Sequence, residues 1–271
     1  MKTTHTFNVV VVLYSMFLII SSCYCINPKF LFNASSKADA NDEKQWQQAS
    51  ATWYGSPDGA GTDGGACGYG SSVGNPPLNK LVSAGGPNIF KNGEGCGACY
   101  EVKCTENEAC SGNPVTVMIS DQCPGCPATH FDLSGFAFGS MAKQDHQNNL
   151  RNAGRITLQY TRVSCSFGTP IVFTIDNGAN PYYFATEIEY ESGDGDLVDI
   201  QLKLPNQNSW VPMNRLWGAR WALNYGSLMQ PPFSIKLTQT YANGSTKTME
   251  ATNVIPVGWK PGQVIRSFSN F

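Results

Sequence analysis

Three carboxylates stand where residue type and setting suit work on a sugar polymer. Asp63 lies in a glycine-rich run (Gly59–Gly65), Asp121 ends the β-rich run that starts at Val115, and Asp132 sits inside His130-Phe-Asp-Leu-Ser-Gly135. Glycosidic chemistry needs two carboxyl groups several ångströms apart, one protonated as an acid and one ionised as base or nucleophile. Strand-end carboxylates followed by Gly/Pro loops suit the rim of a cleft. Spacing alone leaves another reading open: Asp63 and Asp121 as turn formers, and Asp132 as the cap of a short helix after it. His130 sits in an apolar context, for which a structural role is the default. Two Cys-x-x-Cys pairs, Cys96/Cys99 and Cys123/Cys126, have zinc-ligand spacing. A row of aromatic residues in the C-terminal half (Tyr182, Tyr183, Trp210, Trp217, Trp221, Tyr225 and Trp259) exceeds what one small core needs, so some are expected at the surface, where flat rings stack on sugar faces.

The N-terminus decides between metal and disulfides. Lys2 precedes an apolar run from Val9 to Ile20 and a small-residue ending at Cys25, the pattern of a secretory signal peptide over 1–25. The run is short of the ~20 apolar residues a membrane span needs. Removing it leaves eight cysteines, an even number in an oxidising compartment, which favours a disulfide framework over zinc. Asn33 and Asn243 open glycosylation sequons that the secretory route makes usable.

All eight cysteines fall between Cys67 and Cys165. That segregation predicts a polar leader over 26–48, a cysteine-stapled domain over 49–165, a connector over 166–170 and a second domain over 171–271. Both halves read as β. Strands are expected at Val115–Ile119, Ile156–Tyr160, Ile171–Ile175, Ala185–Tyr190, Leu197–Leu202, Phe233–Leu237 and Thr246–Glu250, with one short helix at Ser134–Lys143. In the second half, short strands separated by turn signals such as Ser192-Gly-Asp-Gly195 predict a sandwich. Of 271 residues only 14 % are charged, and 18 basic against 20 acidic side chains give a net charge of −2, which excludes a phosphate-gripping surface and hence nucleic acid as partner.

Taken in order, Thr52-Trp-Tyr-Gly55, Gly64-Gly-Ala-Cys-Gly68, Gly95-Cys-Gly-Ala-Cys-Tyr-Glu-Val-Lys-Cys104, Cys110-Ser-Gly-Asn-Pro-Val115, His130-Phe-Asp-Leu-Ser-Gly135, Asn180-Pro-Tyr-Tyr183, Leu216-Trp-Gly-Ala-Arg-Trp221 and Pro231-Pro-Phe-Ser-Ile-Lys-Leu237 resemble the expansins, and more closely the β-expansins, the group that includes the grass-pollen group-1 allergens. The resemblance implies a six-stranded double-psi β-barrel similar to family-45 glycoside hydrolases, followed by an immunoglobulin-like sandwich that binds carbohydrate. It implies a secreted protein of the plant cell wall that disrupts non-covalent contacts between cellulose and matrix glucans without hydrolysis, as a monomer and with neither cofactor nor metal. Cellulose, with xylan or mixed-linkage glucan, would be the partner. Asp132 matches the general acid of the related hydrolases; Thr52, Tyr54, Asp63 and Asp121 match further polar groove residues; the hydrolases' base is the part the family is understood to lack. Trp53, Tyr183 and Trp217 match a line of sugar-stacking rings. The implied disulfides are Cys67–Cys96, Cys99–Cys165 and Cys104–Cys110. Cys123 and Cys126 depart from the pollen members and point to the vegetative type, with a fourth bond between these two. The rival is an endo-acting glycoside hydrolase that uses Asp132 as its acid.

Overall fold

The computed structural model describes residues 44–271; the expected signal peptide, Asn33 and most of the polar leader lie outside the described residues. Six strands close a barrel: β1 (Gln47–Tyr54), β2 (Val82–Gly85), β3 (Cys99–Lys103), β4 (Val115–Gln122), β5 (His130–Ser134) and β6 (Ile156–Val163), in the spatial order β1-β5-β2-β4-β3-β6. Two of the six seams, β1 with β5 and β2 with β4, are parallel and the rest antiparallel. Closure leaves no free edge. Side chains alternate across each strand, so Ala51, Val102, Ile119, Phe131, Leu133 and Leu158 fill the interior while their neighbours face out. β1 begins at Gln47, two residues inside the expected leader, because Gln47 and Gln48 pair with Tyr160 and Gln159 of β6.

Nine strands form a sandwich: β7 (Val172–Ile175), β8 (Tyr183–Glu189), β9 (Asp196–Lys203), β10 (Val211–Pro212), β11 (Asn214–Trp217), β12 (Arg220–Asn224), β13 (Phe233–Thr240), β14 (Thr246–Ile255) and β15 (Val264–Arg266). One sheet is ordered β10-β9-β13-β14 and the other β11-β12-β8-β7-β15. Phe173, Phe184, Ile188, Ile200, Leu202, Phe233 and Leu237 make the core between them. Along β8, Phe184, Thr186 and Ile188 face this core, which leaves Ala185, Glu187 and Glu189 on the outer face. All six are nonetheless buried. A strand covered on both faces needs a second cover, and here the barrel supplies it.

The cover is bonded in place. Cys165, just past β6, exchanges both backbone hydrogen bonds with Gly193. The Ala219 amide donates to the Cys67 carbonyl at 2.9 Å, and Arg215 reaches the carbonyl of Gly93 at 3.1 Å. Asp196 accepts Lys91 at 2.5 Å and is ion-paired with Arg162 at 3.0 Å, and Ser72 donates to Glu189 at 2.9 Å. Gly218 sits so close to the barrel (φ +52°) that a Cβ there would lie 2.4 Å from the Ala66 carbonyl oxygen. Only glycine allows that approach without strain.

Four disulfides join Cys67–Cys96, Cys99–Cys165, Cys104–Cys110 and Cys123–Cys126. The Cys-x-x-Cys spacing therefore does not make a four-thiolate zinc site, since Cys96 and Cys99 each bond elsewhere. Among the described residues, no group of three or more His, Cys, Asp or Glu is placed to hold a metal, and no helix is long and apolar enough to cross a membrane.

Candidate functional site

β1 and β5 run in parallel with Ser50 opposite His130, Thr52 opposite Asp132 and Trp53 opposite Leu133. Because Ala51, Phe131 and Leu133 point inward, Thr52 and Asp132 face out of the barrel together. The Thr52 hydroxyl donates to Asp132 Oδ1 at 2.5 Å. Behind them His130 is 1 % exposed, with Nδ1 2.7 Å from Ser50 Oγ and Nε2 2.9 Å from Thr52 Oγ1. Burial lowers the His130 pKa, the Asp132 charge opposes that, and Arg155 adds to it. Asp132 does not cap a helix. Ser134 does, accepting from the Ala137 amide at 3.0 Å, and the helix runs over Gly135–Ser140, shorter than expected.

Asp121 arrives on the same face by a different device. β2 lies between β5 and β4, with Ala84 opposite Asp132 on one side and Asp121 on the other. Thr52, Asp132, Ala84 and Asp121 thus form one row across four strands, and the Cα atoms of the two aspartates are two strand spacings apart, about 10 Å. Register shifts between Ser83 and Ala84 insert one extra residue, Ser120, into β4. Without that bulge, alternation would turn Asp121 into the core. Asp121 Oδ1 accepts the amides of Ala66 and Gln122, both at 2.7 Å, so the carboxylate anchors a loop. Tyr54 packs its ring over Gly61, and burial, then the charges of Asp121 and Asp132, raise its phenol above the ordinary range. Asp63 is exposed on this loop and makes no hydrogen bond to the other carboxylates; the turn there is held by Thr62, whose hydroxyl accepts the Gly64 amide at 3.1 Å.

The loop anchored by Asp121 ends on the sandwich. A Cβ on Gly68 would lie 2.9 Å from Glu187 Oε2, 3.1 Å from Arg220 Nε and 3.2 Å from the Trp217 ring. Trp217 lies over the Arg220 guanidinium at 4.7 Å, and Arg220 is fixed by Glu187 at 3.0 Å and Asp176 at 2.9 Å. Trp217 is 46 % exposed and Tyr182 is 55 % exposed. Tyr183, on the same outer sheet face as Trp217, is half-buried. Trp221 is core, Trp259 packs on Phe184 and Phe233, and Trp210 lies under Lys203 and Lys236. Trp53 is half-buried; it shares the core-facing side of β1 with Ala49 and Ala51, and its indole donates to the Arg151 carbonyl at 3.0 Å. Sequence reasoning gave no role to Ser50, Arg220 or Glu187, and left His130 without partners. The alternation Ala49-Ser50-Ala51-Thr52 was the available signal for Ser50.

A closed barrel with a row of polar side chains on its outer face, joined by one anchored loop to a sandwich sheet that displays aromatic rings, is the architecture of an expansin. A bacterial expansin crystal structure, from Clavibacter michiganensis without ligand, superposes with a TM-score of 0.62 over 83 % of this chain and 98 % of its own, at 21 % identity. A second, of a mutant described in complex with cellohexaose, gives 0.60 over the same coverage. A family model described as Expansin C-terminal domain matches residues 171–256, and one described as Lytic transglycolase matches 82–160. Among curated proteins, expansin-B4 of Arabidopsis thaliana is 47 % identical over 92 % of this chain and 92 % of its own length. Expansin-B11 of Oryza sativa subsp. japonica is 49 % identical over 83 % and 78 %, and the pollen allergen Phl p 1 of Phleum pratense is 43 % identical over 96 % and 97 %. The chain belongs to the expansin-B family.

Proposed function

We propose that this expansin loosens plant cell walls by binding wall polysaccharide across the barrel and the sandwich at once, without cutting it. The observation that carries the reading is the loop from Gly65 to Gly68, tied at one end to Asp121 and seated at the other against Trp217 and Arg220. It makes the polar row and the aromatic face parts of one rigid surface. Low charge suits a neutral polymer, gripped by stacking and hydrogen bonds. The complex of the bacterial expansin with cellohexaose supports a β-glucan as the occupant. Tyr183 and Trp217, on one sheet face, are the rings assigned to it, with Asp63 and Tyr54 at the groove's edge, while Trp53, packed on the barrel core and bonded to the Arg151 carbonyl, stands apart from them.

In this reading Asp132, protonated, donates a hydrogen bond to a glycosidic oxygen while the aromatic face holds the chain. Hydrolysis needs a second carboxylate that activates water on the far side of the sugar. Asp121 is the neighbouring carboxylate, yet its Oδ1 is engaged by two backbone amides and it sits in the same row as Asp132. We therefore assign no base, and no catalytic residue. The family supports secretion to the wall, and the sequence supplies the rest of the reading: a signal peptide over 1–25, domains over 49–165 and 171–271 joined at 166–170, and a glycan at the Asn243 sequon. Asn243 is exposed in a turn where its Oδ1 accepts the Ser245 amide at 2.9 Å.

The test is a creep measurement on isolated walls beside a reducing-sugar assay on the same sample. Creep with no new reducing ends is expected, together with loss of creep in Asp132→Asn, which keeps the shape and removes the acid proton. Reducing ends released by the wild type and not by Asp132→Asn would establish the hydrolase instead. Trp217→Ala is expected to weaken binding to insoluble glucan by about fivefold, the ~1 kcal/mol of one stacked ring. Unchanged binding isotherms would remove Trp217 from the surface.

A further inference from the structure

We infer that His130 is a positioning residue that decides, through Thr52, which oxygen of Asp132 meets the polysaccharide. The inference rests on the reading of Asp132 as the group that touches the glycan, but its central claim concerns a proton whose place can be measured without any wall.

Four groups stand in line: Ser50 Oγ, 2.7 Å from His130 Nδ1; His130 Nε2, 2.9 Å from Thr52 Oγ1; and Thr52 Oγ1, 2.5 Å from Asp132 Oδ1. A hydroxyl has one proton to give. With Asp132 ionised, the Thr52 proton goes to the carboxylate, so Thr52 can offer His130 only a lone pair. Nε2 must then carry the ring hydrogen. In a neutral imidazole that makes Nδ1 the acceptor, and Ser50 donates to it. The chain therefore has one polarity, Ser50 to His130 to Thr52 to Asp132.

The surroundings keep the ring neutral. It is 1 % exposed, and burial is the largest influence on it. The charged groups acting on it are Asp132 and Arg155, of opposite sign. Were the ring to take a second proton, Nδ1–H would donate to the Ser50 oxygen while Nε2–H still donated to Thr52, so the two links nearest Asp132 survive either way.

The consequence falls on the carboxyl group. Oδ1 is committed to Thr52, and Oδ2 has no hydrogen-bond partner among the described residues. A proton taken up by Asp132 goes to Oδ2, the oxygen left for a ligand. His130 itself touches no substrate; by holding Thr52 as a donor toward Asp132 it keeps the acid's proton on the open side. Thr52 alone does not achieve this, because its hydroxyl could equally turn its proton toward an imidazole that lacked Nε2–H.

The test is to record the ring nitrogen shifts of His130 by 15N NMR in the full chain at neutral pH, with creep measured on the same samples. Nε2–H is expected in the wild type. Ser50→Ala takes from Nδ1 a hydroxyl that can donate or accept, leaves Nε2–H bonded to Thr52, and should keep the hydrogen on Nε2. Thr52→Val, similar in shape, removes the acceptor and should move the hydrogen to Nδ1, with loss of creep that Thr52→Ser restores. A wild-type ring carrying Nδ1–H overturns the inference, as does a hydrogen that stays on Nε2 in Thr52→Val or leaves it in Ser50→Ala. Creep undiminished in Thr52→Val overturns the positioning role. An Nε2–H ring in a wild-type protein that shows no creep upholds the chain's polarity and rejects the wall-loosening reading by itself.

Discussion

The folded protein is expected to lose stability as pH rises from about 4.5 to about 8, against the usual trend for a protein rich in ion-paired carboxylates. Glu187 and Glu191 cause it. Both lie where the barrel covers the outer face of β8 and the residues just after it, each 5 % exposed. Burial is the largest influence on Glu187, with Glu189 and Asp176 adding to it and Arg220 opposing, and the balance raises its pKa from 4.5 to about 8. Glu191 rises to about 7, again chiefly through burial, and its Oε2 has no hydrogen-bond partner. In the unfolded chain both ionise near 4.5. Between that value and the folded value the native state holds protons that the unfolded state has released, so ΔG of unfolding falls with pH, by up to ~1.4 kcal/mol per unit for each proton. The two groups share Glu189 as a neighbour and do not add independently; a total of order 5 kcal/mol across the window is expected. Urea unfolding at a series of pH values checks it. Glu187→Gln should flatten the slope and raise stability at pH 8, and a wild-type profile that is level or rising over this window would refute the assignment. The contact at stake is the one that seats Trp217 against the groove loop, so a joint firm in acid and weakened in alkali follows from the same two side chains.

How much of this was legible beforehand depended on what held each element together. β4, β6, β7, β8, β9, β13 and β14 were readable because Val, Ile, Leu and Phe recur in them between Gly, Pro and Asn punctuation. β1 was not. Its sequence, Gln-Gln-Ala-Ser-Ala-Thr-Trp-Tyr, contains no aliphatic residue larger than alanine, and it is a strand because β5 and β6 pair with it on either side. β5 is five residues long and reads locally as a turn into a helix. The site shows the same division. Asp132 and Thr52 could be chosen from their motifs, but their contact needs a parallel pairing across 80 residues of chain. Asp121 was found for its position at the end of a β-run, and nothing local shows that an extra residue in β4 turns it outward. Among the rings, composition foretold that some would be exposed; which ones depended on alternation within β11 and β12 and on the turn before β8. Glu187 and Glu189 read as the solvent face of an alternating strand, which they would be if the barrel were absent.

The disulfides offer a test in which sequence separation decides the result. Cys99 opens β3 opposite Val163 at the end of β6, and Cys165 is bonded to the sandwich backbone at Gly193. Their bond closes 66 residues of chain, for which loop-closure entropy gives a stabilisation of about 4 kcal/mol. Cys123 and Cys126 are 3 residues apart, and the same relation leaves them under ~2 kcal/mol. Alanine is the right replacement at 99 and 165, since each is 4 % exposed and a serine hydroxyl would add the cost of an unpaired buried donor. The Cys99→Ala/Cys165→Ala protein is therefore expected to unfold at markedly lower urea than the Cys123→Ala/Cys126→Ala protein. The larger loss has a functional side that the smaller lacks. β6 pairs with β3 as far as Val163 and with β1 from Gln47 to Ala51, so loosening its end opens the barrel wall on both sides of it, and it releases the strand end from which Cys165 grips the sandwich. Creep should fall with stability in the first variant and persist in the second. Equal urea midpoints for the two would show that the long bond stabilises the folded barrel no more than a three-residue clip, and that barrel and sandwich are held together by the Cys67–Ala219 and Asp196 contacts instead.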